Sequence, residues 1–262
     1  MKKECTYQNK KIIYHTYGNG KPVMLIHGFG ETYEVWNMQV EYLKDKFLLI
    51  LPELPGSGSG MIEDMSMEGM AEVLHTIIHN ENIDTCVVIG HSMGGYILLA
   101  LAEKYPELIA AIVLFHSTAY ADSGEKKAVR QKGIEFINRN GAFEFIKTST
   151  PNLFSPVFRD KNSGFIGEYI RNLNNFSDAA LVTYYQSMMQ RPDRAAILRD
   201  TKKPVLMIMG KYDTAVPLND GLKQCHLPEK AYIHILRQSG HMGMLEEPAT
   251  TNCILEKFLT EN

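Results

Sequence analysis

Apolar residues recur along the chain in two rhythms. Short continuous runs rich in Val, Ile and Leu occupy residues 22–26, 47–51, 85–89, 108–115, 205–209 and 232–236, and each reads as a buried strand. An earlier strand is expected over 11–17, ending at the turn signal Gly18-Asn19-Gly20. Between these runs the spacing becomes helical. Trp36, Val40 and Leu43 fall on one side of 33–44, and Met67, Met70, Val73, Leu74 and Ile77 line one face of 66–80, with Ser66 as N-cap. A helix from 93 to 105 stops before Pro106, and 248–259 closes the chain as another. Continuous apolar strands alternating with helices predict an α/β fold: an open, doubly wound, mostly parallel sheet covered on both faces.

One stretch departs from the alternation. Residues 117–199 contain no buried strand, and helices are expected over 125–140, 142–148, 163–172 and 178–190, separated by loops rich in Asn, Ser and Pro. This segment reads as a helical insertion between two strands of the sheet. The expected organisation is therefore a core of 1–116 and 200–262 with an insertion of 117–199, the latter being the place for substrate-facing variation.

Composition narrows the function. The 262 residues carry 27 basic and 30 acidic side chains, a net charge of −3, and a hydrophobic fraction of 45%. Such a chain can bury a sizeable core but offers no electrostatic footprint for nucleic acid or a membrane surface. Its longest apolar run, 108–115, is far short of the ~20 residues that cross a bilayer. The charged N-terminus leads into no apolar segment, so no secretory signal is expected. Cys5, Cys86, Cys225 and Cys253 lack metal or redox spacing and read as reduced thiols of a cytoplasmic protein. No metal or organic cofactor is implied, and the oligomeric state is not legible.

Open parallel sheets bind ligands beyond the carboxyl ends of their strands. There the chain places His27-Gly28-Phe29-Gly30, Gly90-His91-Ser92-Met93-Gly94-Gly95, Gly210-Lys211-Tyr212-Asp213 and Gly240-His241. Residues 90–94 fit the G-x-S-x-G nucleophile elbow, a strand-to-helix turn sharp enough to lift the serine hydroxyl clear of the sheet. A serine hydroxyl needs a base to take its proton, and that base needs a carboxylate to orient it.

Of the nine histidines, His241 suits the role best: it follows a strand, stands between glycines and precedes the final helix. His15 and His234 lie in strands, and His226 in a surface segment. His75 and His79 lack the glutamate of H-E-x-x-H and read as a solvated helix face. His27 and His91 shape their glycine turns, while His116 could line a pocket. Asp213 is the better carboxylate, since Asp200 and Asp220 are expected to be solvated. The oxyanion donors expected are the backbone N–H groups of Met93 and Phe29.

These four ordered motifs, with Tyr212-Asp213-Thr214-Ala215-Val216-Pro217, resemble the α/β-hydrolase superfamily over nearly the whole chain. The resemblance implies an eight-stranded, mostly parallel sheet, a triad of Ser92, Asp213 and His241, and a helical cap matching the insertion. Glu53 departs from the family pattern, which usually has aspartate there. Relatives that form an alkyl-enzyme ester use aspartate as nucleophile, so Ser92 favours attack on a carbonyl instead. The leading expectation is a serine hydrolase of a small to medium, apolar carboxylic ester, with a small-molecule ester as its partner. The alternatives are a carbon–carbon bond hydrolase, a lyase (disfavoured because Tyr96 stands where the lyase carries arginine), and a receptor-like binding protein with little turnover.

Overall fold

A computed structural model describes residues 1–58 and 60–262. Its strands are β1 (Lys2–Tyr7), β2 (Lys10–Tyr17), β3 (Lys21–Ile26), β4 (Phe47–Pro52), β5 (Cys86–His91), β6 (Ile109–Phe115), β7 (Val205–Gly210) and β8 (Ala231–Leu236). They form one eight-stranded sheet in the order β1-β2-β4-β3-β5-β6-β7-β8. β1 and β2 pair antiparallel, β2 joins β4 antiparallel, and the remaining pairs are parallel. The open, mostly parallel α/β architecture expected from the alternation is what the chain adopts. Strand β1 is an addition to the strands read from apolar runs. It lies on the sheet edge, and Cys5 is its only buried side chain, so no such run marks it.

Helix α1 (Asn37–Leu43) crosses from β3 to β4 in one direction, whereas α2 (Met67–Asn80) and α3 (Met93–Lys104) move the chain the opposite way to β5 and β6. Right-handed crossovers in opposite directions put α1 on one face and α2 with α3 on the other. The order therefore reverses between β3 and β5, which opens a crevice beyond their carboxyl ends. Ser66 caps α2 as its sequence predicts, its hydroxyl accepting from Gly69 N at 3.0 Å. Glu53, at the departure from the family pattern, lies 2.9 Å from His15 Nε2.

Between β6 and β7 the chain is helical: α4 (Gly124–Asn140), α5 (Ala142–Ser149), α6 (Pro156–Lys161), α7 (Ser163–Arg171), α8 (Asp178–Gln190) and α9 (Ala195–Asp200). The rest comprises α10 (Leu218–Leu222), α11 (Gly243–Glu246) and α12 (Pro248–Glu261). No helix among the described residues is long and apolar enough to cross a membrane.

Candidate active site

Strand β5 is buried along its whole length and delivers the chain directly into α3, with Ser92 as the hinge between them. Ser92 has φ 50° and ψ −116°, a conformation that costs roughly 1–3 kcal/mol for a residue with a side chain and persists only where the surroundings impose it. Its N–H donates to Phe115 O at 3.0 Å. Crowding explains the flanking glycines: a Cβ on Gly90 would come within 2.5 Å of the Gly94 backbone, and one on Gly94 within 2.6 Å of Ile26 O. Ser117 braces the same turn, its hydroxyl donating to Ser92 O at 2.8 Å.

The loop after β3 rests against this elbow. A Cβ on Gly28 would lie 3.2 Å from Ser92 Cβ, so glycine is what lets the two backbones approach. Gly28 N donates to Glu31 at 2.7 Å, and the same carboxylate oxygen faces His91 Nδ1 at 2.9 Å. The other ring nitrogen of His91 is 3.0 Å from His241 O. Both nitrogens thus face acceptors. Burial would raise the Glu31 carboxyl, but His91 outweighs it and holds the group below its ordinary value. His27 shapes its turn as expected: Nδ1 donates to Gly28 O at 2.9 Å and Nε2 accepts from Leu54 N at 3.2 Å.

Asp213, after β7, is buried and fully engaged. Its Oδ1 accepts from Ala215 N and Val216 N at 2.9 and 2.8 Å. Its Oδ2 lies 2.8 Å from His241 Nδ1 and 3.0 Å from His116 Nδ1. Burial alone would raise this carboxyl; the two imidazoles hold it far below the usual carboxylate range instead. For His241, burial works against the charge, but Asp213 prevails and raises the imidazole above 6.5. For His116 burial wins, bringing it down to about 4, so this ring is neutral at pH 7.

The polar atoms of His116, Asp213 and His241 lie within 4.8 Å of one another, a spacing that would also suit a metal ion. Both Nδ1 atoms, however, face one anionic oxygen, where a bare lone pair would be repelled. Each Nδ1 therefore carries its proton, and the set reads as a hydrogen-bonded relay.

The His241 loop is tied to the insertion. His241 N donates to Leu153 O at 2.6 Å, and Glu246 accepts from Ser155 N at 2.7 Å and Gly240 N at 2.8 Å. Above the elbow, the Phe29 ring stacks on Tyr185 at 4.3 Å and meets Phe145 edge-on at 6.1 Å. The segment is anchored at its start by Asp122, whose carboxylate binds Arg130 Nε at 2.5 Å and Arg191 Nη1 at 2.9 Å. Arg191 in turn lies 3.7 Å over the Tyr96 ring, one turn beyond Ser92.

Sequence reasoning thus placed Asp213 and His241 in contact and Ser92 at the elbow. It missed what His116 does, and it missed Glu31 and Ser117 altogether. His116 directly follows a buried strand, a signal that pointed to the site but could not show its partner. His75 stacks on Tyr105 at 4.0 Å, and Asp220 pairs with Lys126 and Lys223, so both stand outside the site.

The sequence profile of the Alpha/beta hydrolase family matches residues 23–252. The chain is 27% identical to Lipase 1 of Psychrobacter immobilis, over 90% of its own length and 76% of that protein. It is 26% identical to 2-hydroxy-6-oxononadienedioate/2-hydroxy-6-oxononatrienedioate hydrolase 1 of Pseudomonas putida, covering 95% of this chain and 92% of that one. Among solved structures, a malate-bound thermophilic esterase from Thermogutta terrifontis superposes with a TM-score of 0.91 at 25% identity, covering 100% of this chain and 98% of the other. The chain belongs to the alpha/beta hydrolase family.

Proposed function

We propose that this protein is a serine hydrolase that cleaves a small to medium carboxylic ester through an acyl-enzyme. The observation that carries the reading is the His241 Nδ1–Asp213 Oδ2 hydrogen bond of 2.8 Å, with His241 O lying 3.0 Å from the ring of His91, the residue before a serine held at φ 50°. Asp213 fixes the imidazole with its proton on Nδ1, which leaves Nε2 free to act as base. Ser92 Oγ attacks the ester carbonyl while its proton passes to His241 Nε2. The resulting tetrahedral oxyanion takes hydrogen bonds from the backbone N–H groups of Phe29 and Met93, each worth about 3–4 kcal/mol in such sites. Collapse breaks the bond to the alkoxide, which leaves with the proton from His241. Water, deprotonated by the same imidazole, then releases the acid and restores Ser92.

Residues 117–199 form the cap over this centre, with 1–116 and 200–262 as the core. The four unpaired thiols fit action in the cytoplasm. A second reading, carbon–carbon bond hydrolysis, draws on the similarity to the oxononadienedioate hydrolase. Active-site labelling by a fluorophosphonate together with multiple turnover of short p-nitrophenyl esters tests the proposal. Labelling without multiple turnover would favour a receptor-like protein, and absence of labelling would remove Ser92 as a nucleophile.

A further inference from the structure

Residues 237–242 join β8 to α11 outside any strand or helix, yet they carry the imidazole proposed as base. Three consecutive N–H groups of this loop find partners beyond regular structure. Gly240 N and Met242 N both donate to Glu246 Oε1, at 2.8 and 3.2 Å, and His241 N between them donates to Leu153 O at 2.6 Å. The other oxygen of the same carboxylate, Oε2, accepts from Ser155 N at 2.7 Å. One side chain thus grips the backbone on both sides of His241 and ties it to residues 153–155, in the helical stretch between β6 and β7. The two backbones are in close contact: a Cβ on Gly240 would lie 2.5 Å from Leu153 O and 2.7 Å from Ser155 N. Capping of α11 accounts for the bond to Met242 N, its N-cap residue, but not for those to Gly240 and Ser155, which lie outside that helix. Burial raises the Glu246 carboxyl against the pull of its three N–H donors.

We infer that Glu246 is a positioning residue for His241: it fixes the backbone that carries the imidazole, and it makes that placement depend on residues 153–155 being docked. The inference rests on the hydrolase reading of Ser92 and His241. Asp213 sets the tautomer and the turn of the ring through Nδ1, but a bond to the ring leaves the main chain free to shift. The N–H groups before and after His241 hold that main chain, and both end on Glu246. Removing the carboxylate frees the loop from residue 155 and lets His241 Nε2 drift from the Ser92 hydroxyl. A misplacement of about 1 Å at reacting atoms costs up to roughly 100-fold in rate.

The test compares wild type, Glu246→Ala and Glu246→Gln on p-nitrophenyl acetate, each also in a His241→Ala background, with Tm measured for every protein. Glu246→Ala is expected to lower kcat by roughly 10–100-fold while KM stays within about threefold. Glutamine offers one acceptor oxygen and one NH₂ group, so it serves one side of the clamp and should lose less, roughly 3–10-fold. In the His241→Ala background no imidazole remains to be placed. There either substitution should change the residual acylation rate, read with enzyme in excess, by under about twofold. A folded Glu246→Ala protein with wild-type kcat, a loss confined to KM, or equal losses in both backgrounds would overturn the inference and leave the hydrolase reading intact. Should the alanine variant fail to fold, the glutamine variant decides by the same comparison. If wild type showed no Ser92-dependent turnover, both would fall together.

Discussion

His116 donates its Nδ1–H to Asp213 Oδ2 at 3.0 Å, the oxygen that also receives His241. A second donor on that oxygen drains negative charge from the side facing His241. Replacing it with an apolar group strengthens the remaining pair and favours the imidazolium. His116→Leu is expected to move the acid limb of kcat/KM upward by about 0.5–1 pH unit. His116→Asn keeps a donor and suits the φ of 49°, so it should leave the limb nearer its original position. A leucine variant with an unaltered profile would reduce His116 to packing.

The wild-type profile follows from the raised His241. Its neutral form is the base, so kcat/KM should climb with pH through an apparent pKa above 6.5. Stability runs the other way for this group. A raised folded value contributes stability that is complete below the unfolded pKa and is lost as pH rises through the folded one. Asp213, depressed in the fold, contributes stability above 3.8 and loses it only as acid reaches its much lower folded value. Rates and urea midpoints measured from pH 5 to 9 separate the two His241 trends, and a flat rate from 5 to 8 would exclude His241 as base.

Glu31 joins the loop after β3 to His91, and through it to the backbone of His241. Glu31→Ala leaves a buried ring proton and the Gly28 N–H without their acceptor, for an expected loss of about 3–5 kcal/mol. Glu31→Gln retains an acceptor oxygen and should lose less. Denaturant unfolding measures both, and a loss below about 1 kcal/mol in the alanine variant would show that solvent or a neighbour replaces the pair.

Asp122 holds two guanidinium groups from opposite ends of the helical segment. Asp122→Ala leaves both cations unmatched, which should loosen residues 117–199 before it unfolds the sheet. Limited proteolysis should then cut inside 117–199 while the remaining chain stays resistant. Simultaneous loss of both parts would show that the segment and the sheet unfold as one unit.

The sheet was legible because its central strands are continuous apolar runs. Residues 205–209 and 85–89 gave β7 and β5 to within a residue or two. β1 was invisible since an edge strand with Cys5 as its one buried side chain carries no such run, and α6 and α9, at six residues each, are too short to display a helical period. The turn at Ser92 and the Asp213–His241 pair were legible because each residue follows a strand end in a motif of fixed spacing. His116, Glu31 and Ser117 act through partners 97, 60 and 25 residues away in sequence. Pairings over such distances are set by how the strands stack side by side, and no local pattern encodes them.

The most direct measurement is steady-state hydrolysis of a short p-nitrophenyl ester by wild type and by Ser92→Ala, with circular dichroism to confirm that the variant is folded. Triad residues act as a unit, so kcat should drop by roughly 10⁴–10⁶ with the fold retained. A folded Ser92→Ala protein that hydrolyses the ester at close to the wild-type rate would contradict the account.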